Sequence, residues 1–306
     1  MSAPSSTLRT LDVRRMRVLR EVAGRGTIAA AARALSFTPS AVSQQLAALE
    51  REAGVPLLDR HGGRVRLTEA GRRLVARTEA ILAELEAASA ELSAAAAEVT
   101  GDIHVAAFPS AERALLAPAI AALLARHPDV RVRTTELEPE ASLPALRLGD
   151  VDLVVSHEDV SNPAPPDPRL ERVDLLEDPL RLVLPPGHPA VRDAVALADL
   201  AEARWVATPP GTACRAMVDR ACRAAGFVPD VPFHANDFAV LAVFVAEGLG
   251  VAMVPEIALG AFGTDVIVRP VADVPVTRRL FAATRRGGLE RPALATMVDA
   301  LRDVGR

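Results

Sequence analysis

The stretch Thr27-Ile28-Ala29-Ala30-Ala31-Ala32-Arg33-Ala34-Leu35-Ser36-Phe37-Thr38-Pro39-Ser40-Ala41-Val42-Ser43-Gln44-Gln45-Leu46 decides how the chain is read. Thr27 can cap an alanine-rich helix, Ile28 to Leu35, because a hydroxyl accepts from the free N–H groups of a first turn. Ser36-Phe37 makes a short connection. Thr38 then caps a further helix with Pro39 at its first position, where a missing N–H costs nothing. Val42, Leu46 and Leu49 share one face of that helix, and Ser40, Ser43 and Gln44 fall elsewhere. The alanines allow the two helices to approach closely, as a helix-turn-helix requires. In that motif the start of the second helix enters the major groove, where Gln and Ser reach base edges. The residues expected at DNA are therefore Thr38, Pro39, Ser40, Ser43 and Gln44.

The flanks extend this reading. Residues 12–24 predict a preceding helix, with Val13, Met16, Val18, Leu19 and Val22 as its apolar positions and Gly24 and Gly26 ending it. Downstream, two short strands around His61-Gly62-Gly63 predict a hairpin with Arg60, Arg64 and Arg66 nearby. Arginines there suit the DNA backbone or the minor groove, although a merely solvated hairpin would carry them too. Residues 1–68 hold eleven Arg against five acids, while the rest of the chain holds 24 basic and 34 acidic groups. A basic head on an acidic body points only the head at phosphate. Every basic residue is Arg and none is Lys.

In these motifs, residues 11–68 resemble the DNA-binding domain of the LysR-type transcriptional regulators. The resemblance runs through Thr27 to Leu35, Thr38 to Leu46, Leu49-Glu50, Leu57-Leu58-Asp59-Arg60 and Leu67-Thr68-Glu69-Ala70-Gly71. Leu58 departs from it, since the family usually carries Phe there, and this should affect packing alone.

A helical run follows from Thr68-Glu69 to about Val99. Leu74, Thr78, Ile81, Leu85, Ala88, Leu92 and Ala95 alternate spacings of four and three, which is a heptad seam. A lone amphipathic helix would also fit. At helical rise, however, the run is roughly 45 Å long, more than one small domain covers. We read it as a dimerisation helix, with Leu74, Ile81, Leu85 and Leu92 in the seam. In family terms it resembles the linker helix that pairs two subunits, so two recognition helices would meet a pseudo-palindromic double-stranded DNA site. The resemblance leans from a homodimer towards a homotetramer.

From Gly101 onward strands and helices alternate. Leu148-Gly149-Asp150-Val151-Asp152-Leu153-Val154-Val155 parallels Glu247-Gly248-Leu249-Gly250-Val251-Ala252-Met253-Val254, which suggests two lobes of one β-α-β design. The expected architecture is α/β overall, in three parts. A winged helix-turn-helix spans 1–68 and a linker helix 69–99. A two-lobed effector-binding domain of periplasmic-binding-protein type spans 100–306. Lobe I takes about 100–160 and 268–306, and lobe II about 161–267. The body resembles the LysR-type effector-binding domain.

In such a body the loops Phe108-Pro109-Ser110-Ala111 and Thr208-Pro209-Pro210-Gly211-Thr212 lead into helix N-termini that face one another. Free N–H groups there make a carboxylate or similar anion the natural small-molecule effector. Ser110, Ala111, Thr208 and Thr212 are the expected effector residues, with Ser156 and Asn236 as weaker candidates. Simple capping of a helix or turn is the alternative for each hydroxyl. The family's habit of a Ser or Thr at position 110 favours binding there. His157 and His234 read as structural or exposed residues. Cys214 and Cys222 raise the alternative of a thiol-based redox regulator, since some peroxide-sensing family members carry a reactive cysteine near the start of this helix. Eight residues on a continuous helix separate the sulfurs by roughly 12 Å, beyond disulfide reach, so packing is the preferred role.

An enzyme is not expected. There is no Gly-x-Gly-x-x-Gly after a strand, no phosphate-binding loop, no nucleophile elbow and no His/Cys set with metal spacing. Neither a metal nor a cofactor is therefore expected. Met1 to Arg9 is polar with no apolar segment behind it, and no stretch approaches a membrane span. With two cysteines, these features point to the cytoplasm and against an exported solute-binding protein. The sum is a sequence-specific regulator whose DNA binding responds to a small molecule.

Overall fold

The computed structural model describes residues 11–35, 37–61, 64–95, 99–190, 192–262 and 265–306, with the side chains of 60, 61, 64, 86, 87 and 89–95 excepted. It divides into two compact units, Met1–Ser89 and Ala90–Arg306.

In the first unit, α1 (Val13–Arg25) is capped by the Asp12 carboxylate, which accepts from Arg14 N, and ends at Gly26 with φ 73°. Thr27 caps α2 (Ile28–Ala34) and Thr38 caps α3 (Pro39–Ala53), each by accepting from the N–H three residues on. Strands β1 (Leu58–His61) and β2 (Arg64–Leu67) pair antiparallel, with Leu58 opposite Leu67. Helix α4 runs from Glu69 to Ala95. Met16, Leu19, Val22, Ala31, Ala32, Val42, Leu46, Leu49 and Leu57 form the core. Ala31 and Ala32 are the small contacts that seat α2 against its neighbours. Gly71 lets α4 close on this core, because a Cβ there would lie 2.1 Å from the Leu57 carbonyl oxygen.

The heptad seam divides along α4. Leu74 packs against the first unit's own core, beside Val75, and Thr78 is buried with its hydroxyl donating to the Leu74 carbonyl. Ile81 and Leu85 are exposed, at 37% and 53%. The side chain of Leu92, the Gly62-Gly63 tip, Ser36 and the side chains of Arg60 and Arg64 lie outside the described residues.

The second unit begins with β3 (Gly101–Ala107). One helical run follows: α5 (Pro109–Ala111), a π turn over Glu112–Leu116, then α6 (Ala117–Arg126). Next come β4 (Val130–Glu136), α7 (Pro139–Leu148), β5 (Leu153–Asp159) and β6 (Leu170–Leu184). Strand β7 (Arg204–Ala207), α8 (Ala213–Ala224), β8 (Asp230–His234), α9 (Phe238–Ala246) and β9 (Ala252–Pro255) succeed them. The chain closes with β10 (Ile267–Arg269), β11 (Thr277–Arg285) and α10 (Pro292–Val304). The large sheet has the order β10-β6-β11-β5-β3-β4, with β9 also paired to β6, and β7 pairs with β8. Pairs β3–β4 and β3–β5 are parallel, whereas β11 is antiparallel to both β5 and β6.

Two cores hang on the long strands. Ile103, Leu116, Leu153, Leu280 and Leu301 anchor the first, and Leu182, Trp205, Met217, Cys222 and Met253 the second. Leu175 and Leu176 of β6 pack on the first core and Leu180, Leu182 and Leu184 of the same strand on the second. Residues 170–176 thus pack with lobe I and 268–276 with lobe II, in contrast to changeovers near 160 and 267. The reason is physical: one unbroken strand crosses between the cores, with no turn to mark the change in sequence. The α7 helix begins at Pro139, which suits a first turn, and carries Pro144 inside.

A recognition helix and a two-core cavity

On the first unit, Thr38, Pro39, Ser40 and Gln44 are exposed and Ser43 is half-buried, all on or beside the first turns of α3. The Thr38 hydroxyl lies 3.0 Å from that of Ser40 while it caps Ala41 N. Cap and candidate contact residues are thus one local structure. Arg66, on β2 opposite Asp59, is exposed. Glu50 performs a role that the sequence showed only as part of a motif. Its carboxylate accepts from Leu57 N at 2.8 Å and Leu58 N at 3.1 Å, fixing where the hairpin leaves α3.

On the second unit a cavity of about 230 Å³ opens between the two cores. From the first core, Phe108, Pro109 and Ser110 enter it at the end of β3, Glu138 at the start of α7 and His157 on β5. From the second come Thr208, Thr212 and Cys214 around the start of α8, and Asn236, Asp237 and Phe238 at the start of α9. Arg278 of β11 belongs to the strand that joins them.

The structure brings together Ser110, Thr208, Thr212 and Asn236 as expected from their positions after strands. Ala111 and Ser156 do not line the cavity. Ala111 is wholly buried in the first core. Ser156 is fully buried as well and faces away from His157, because neighbouring side chains on a strand point to opposite sides. His157, read from the sequence as structural or exposed, is a buried wall residue.

Arg278 organises the polar wall. Its Nε donates to Asp178 Oδ2 at 2.9 Å, its Nη2 to Ser110 Oγ at 3.1 Å, and its Nη1 approaches Cys214 Sγ at 3.6 Å. The guanidinium sits 4.9 Å from the Phe108 ring centroid, and that ring meets His157 edge-on at 5.0 Å. Cys214 Sγ lies 3.7 Å from His157 Nε2. Burial, then the Arg278 charge, holds the His157 pKa well below its ordinary value, so the ring is neutral. Burial raises the Cys214 thiol despite the opposing Arg278, and pushes Cys222 up to about 12. Both sulfurs sit on the one continuous helix α8, and Cys222 belongs to the second core.

Of the two helix N-termini that suggested an anion site, that of α5 carries no side-chain cap and that of α8 is occupied by the chain itself. Glu140 accepts from Ala213 N at the head of α8. Thr212 Oγ1 accepts from Arg215 N and donates to the Pro209 carbonyl at 2.9 Å. Asp237 caps α9 by accepting from Ala239 N at 2.8 Å. Arg113 reaches across from the first core to the carbonyls of Ile257 and Ala258, at 3.1 and 2.9 Å.

Comparison with known proteins places each unit. A model of the bacterial regulatory helix-turn-helix protein, lysR family, matches residues 13–72, and the LysR substrate binding domain matches 96–306. The regulator CysB of Burkholderia cenocepacia is 30% identical, over 95% of this chain and 93% of its own. Full-length OxyR C199D from Pseudomonas aeruginosa superposes with TM-score 0.72 at 20% identity, covering 96% of this chain and 95% of that one. Full-length CbnR, solved complexed with its target DNA, does so with TM-score 0.55 at 24% identity, covering 97% and 100%.

Proposed function

Because this chain belongs to the LysR family of DNA-binding transcriptional regulators, whose second domain binds an effector, we propose which of its residues perform each task. Thr38, Pro39, Ser40, Ser43 and Gln44 at the head of α3 meet DNA, Gln44 and the serines at base edges, and the β1–β2 arginines Arg60, Arg64 and Arg66 hold the backbone. Two chains pair through α4, with Ile81 and Leu85 in the seam, and present two such helices to a pseudo-palindromic site. The observation that carries the DNA assignment is the exposed, capped first turn of α3, polar outward and seated inward by Val42, Leu46 and Leu49.

The effector occupies the cavity between the two cores of the second domain, against Ser110, Thr208 and Asn236. Its binding shifts one core against the other about the β6 and β11 crossings, and paired bodies then alter how two heads meet DNA.

Comparing wild type with Gln44→Ala on a duplex from upstream of the chain's own gene and on a shuffled duplex tests the assignment. Discrimination between the two should fall by about 1–3 kcal/mol with weak binding to the shuffled duplex unchanged. Unaltered discrimination would remove Gln44 from the recognition surface.

A further inference from the structure

The charges that face the cavity do not balance, and the imbalance has a sign. Thr212 donates its hydroxyl proton to the Pro209 carbonyl, so in the 2.8 Å contact between the two hydroxyls Thr208 must be the donor. Thr208 Oγ1 is left with lone pairs only. Asp237 is a carboxylate, and so is Glu138, which is half-buried and whose side chain makes no hydrogen bond or ion pair among the described residues. Arg278 is neutralised by Asp178, with neither side chain exposed. Arg113 is exposed and spends Nη2 on two carbonyls. Glu140 already occupies the head of α8.

A half-buried carboxylate without a partner is costly, and a site bears that cost where a ligand supplies the missing charge. Burial, then Glu140 and Glu136, raises the Glu138 pKa, with Arg278 opposing.

From this unpaired charge we infer that the effector carries a protonated nitrogen, an amine or guanidinium, which Glu138 receives as its counter-ion. The inference rests on the reading of the cavity as the effector site. Glu138 accepts a charge-assisted hydrogen bond from the ligand, and Thr208 Oγ1 and Asp237 are the further acceptors on the wall.

Thermal unfolding of the full-length protein tests it, with n-butylamine, putrescine and agmatine as probes against butyrate and glutarate at matched millimolar concentration. The amines should raise the melting temperature and the carboxylates should not. Glu138→Gln should weaken the amine effect by about tenfold or more, and should itself melt higher than wild type without ligand, because it removes an unpaired charge. An amine response that Glu138→Gln leaves intact, or no response to any amine, overturns the inference. A carboxylate response that the cavity-filling Ala239→Trp abolishes also overturns it, while leaving the cavity as the effector site. A response of either kind that survives Ala239→Trp removes the cavity itself.

Discussion

Asp178 and Arg278 form an ion pair, Oδ2 to Nε at 2.9 Å with neither side chain exposed, where β6 and β11 pass from one core to the other. Asp178 also accepts from Ile257 N at 3.1 Å, and Arg278 also reaches Ser110 and Cys214. One buried pair therefore ties both crossing strands, the β9 exit and both walls of the cavity. Two buried charges are tolerable only while both are present, since removing one strands the other in a medium that solvates it poorly.

Asp178→Asn should accordingly cost about 3–5 kcal/mol of stability. Trp205, the one tryptophan and wholly buried in the second core, reports the loss by fluorescence in urea. The double replacement Asp178→Leu with Arg278→Met should cost less than Asp178→Asn alone, because it leaves no uncompensated charge. A double variant at least as unstable as the single would contradict this account of the pair.

Glu50 anchors the start of the hairpin through two backbone N–H groups. Glu50→Ala should lower the stability of the first domain by about 1.5–3 kcal/mol, the worth of hydrogen bonds to a charged group. Glu50→Gln keeps an acceptor oxygen and should recover part of it. Thermal melts followed by circular dichroism distinguish the three proteins.

Arg66 is exposed on β2 and is assigned to the phosphate backbone. Arg66→Ala should weaken binding to specific and shuffled duplexes alike and reduce the salt slope by about 0.9 for the one lost contact. A salt titration of duplex binding by fluorescence anisotropy reads both effects. An unchanged slope would place Arg66 away from the phosphates.

The alkaline limb of stability should belong to the cysteines. The chain has neither Tyr nor Lys, so Cys214 and Cys222 are its only side chains that titrate between the ordinary thiol value of about 8.5 and the arginine range above 12. Burial pushes Cys222 up to about 12. The unfolded chain therefore gives up its thiol protons first, and rising pH favours unfolding from about 8.5 upward. Urea midpoints should fall across that window, and Cys222→Ala should flatten the fall even though it lowers stability at neutral pH. An equal slope in the variant would contradict the assignment.

What the sequence made legible was local. Thr38 with Pro39, and Thr27 before four alanines, each form a helix from signals a few residues apart, and the structure places them there. Strand β6 escaped notice because its charges, Glu171, Arg172, Asp174, Glu177, Asp178 and Arg181, and Pro179 within it, resemble a loop. The strand survives because the charges pair across to neighbours, as Glu177 does with Arg279 of β11, and Pro179 falls where β6 changes partner. The heart of the cavity was illegible for a similar reason. Asp178 and Arg278 are 100 residues apart, and only the crossing of two strands brings them together. The anion expectation arose because a helix start shows its free N–H groups in sequence, whereas Glu140, the group that fills one, lies on another helix.

The central claim is that this chain recognises a specific duplex through α3. Fluorescence anisotropy of the full-length protein on the duplex immediately upstream of its own gene, against a shuffled duplex across a salt series, tests it most directly. The account predicts tight, salt-sensitive binding that favours the upstream duplex, with the preference carried by Gln44. Equal affinity for both duplexes at every salt concentration, in wild type and Gln44→Ala alike, would contradict it.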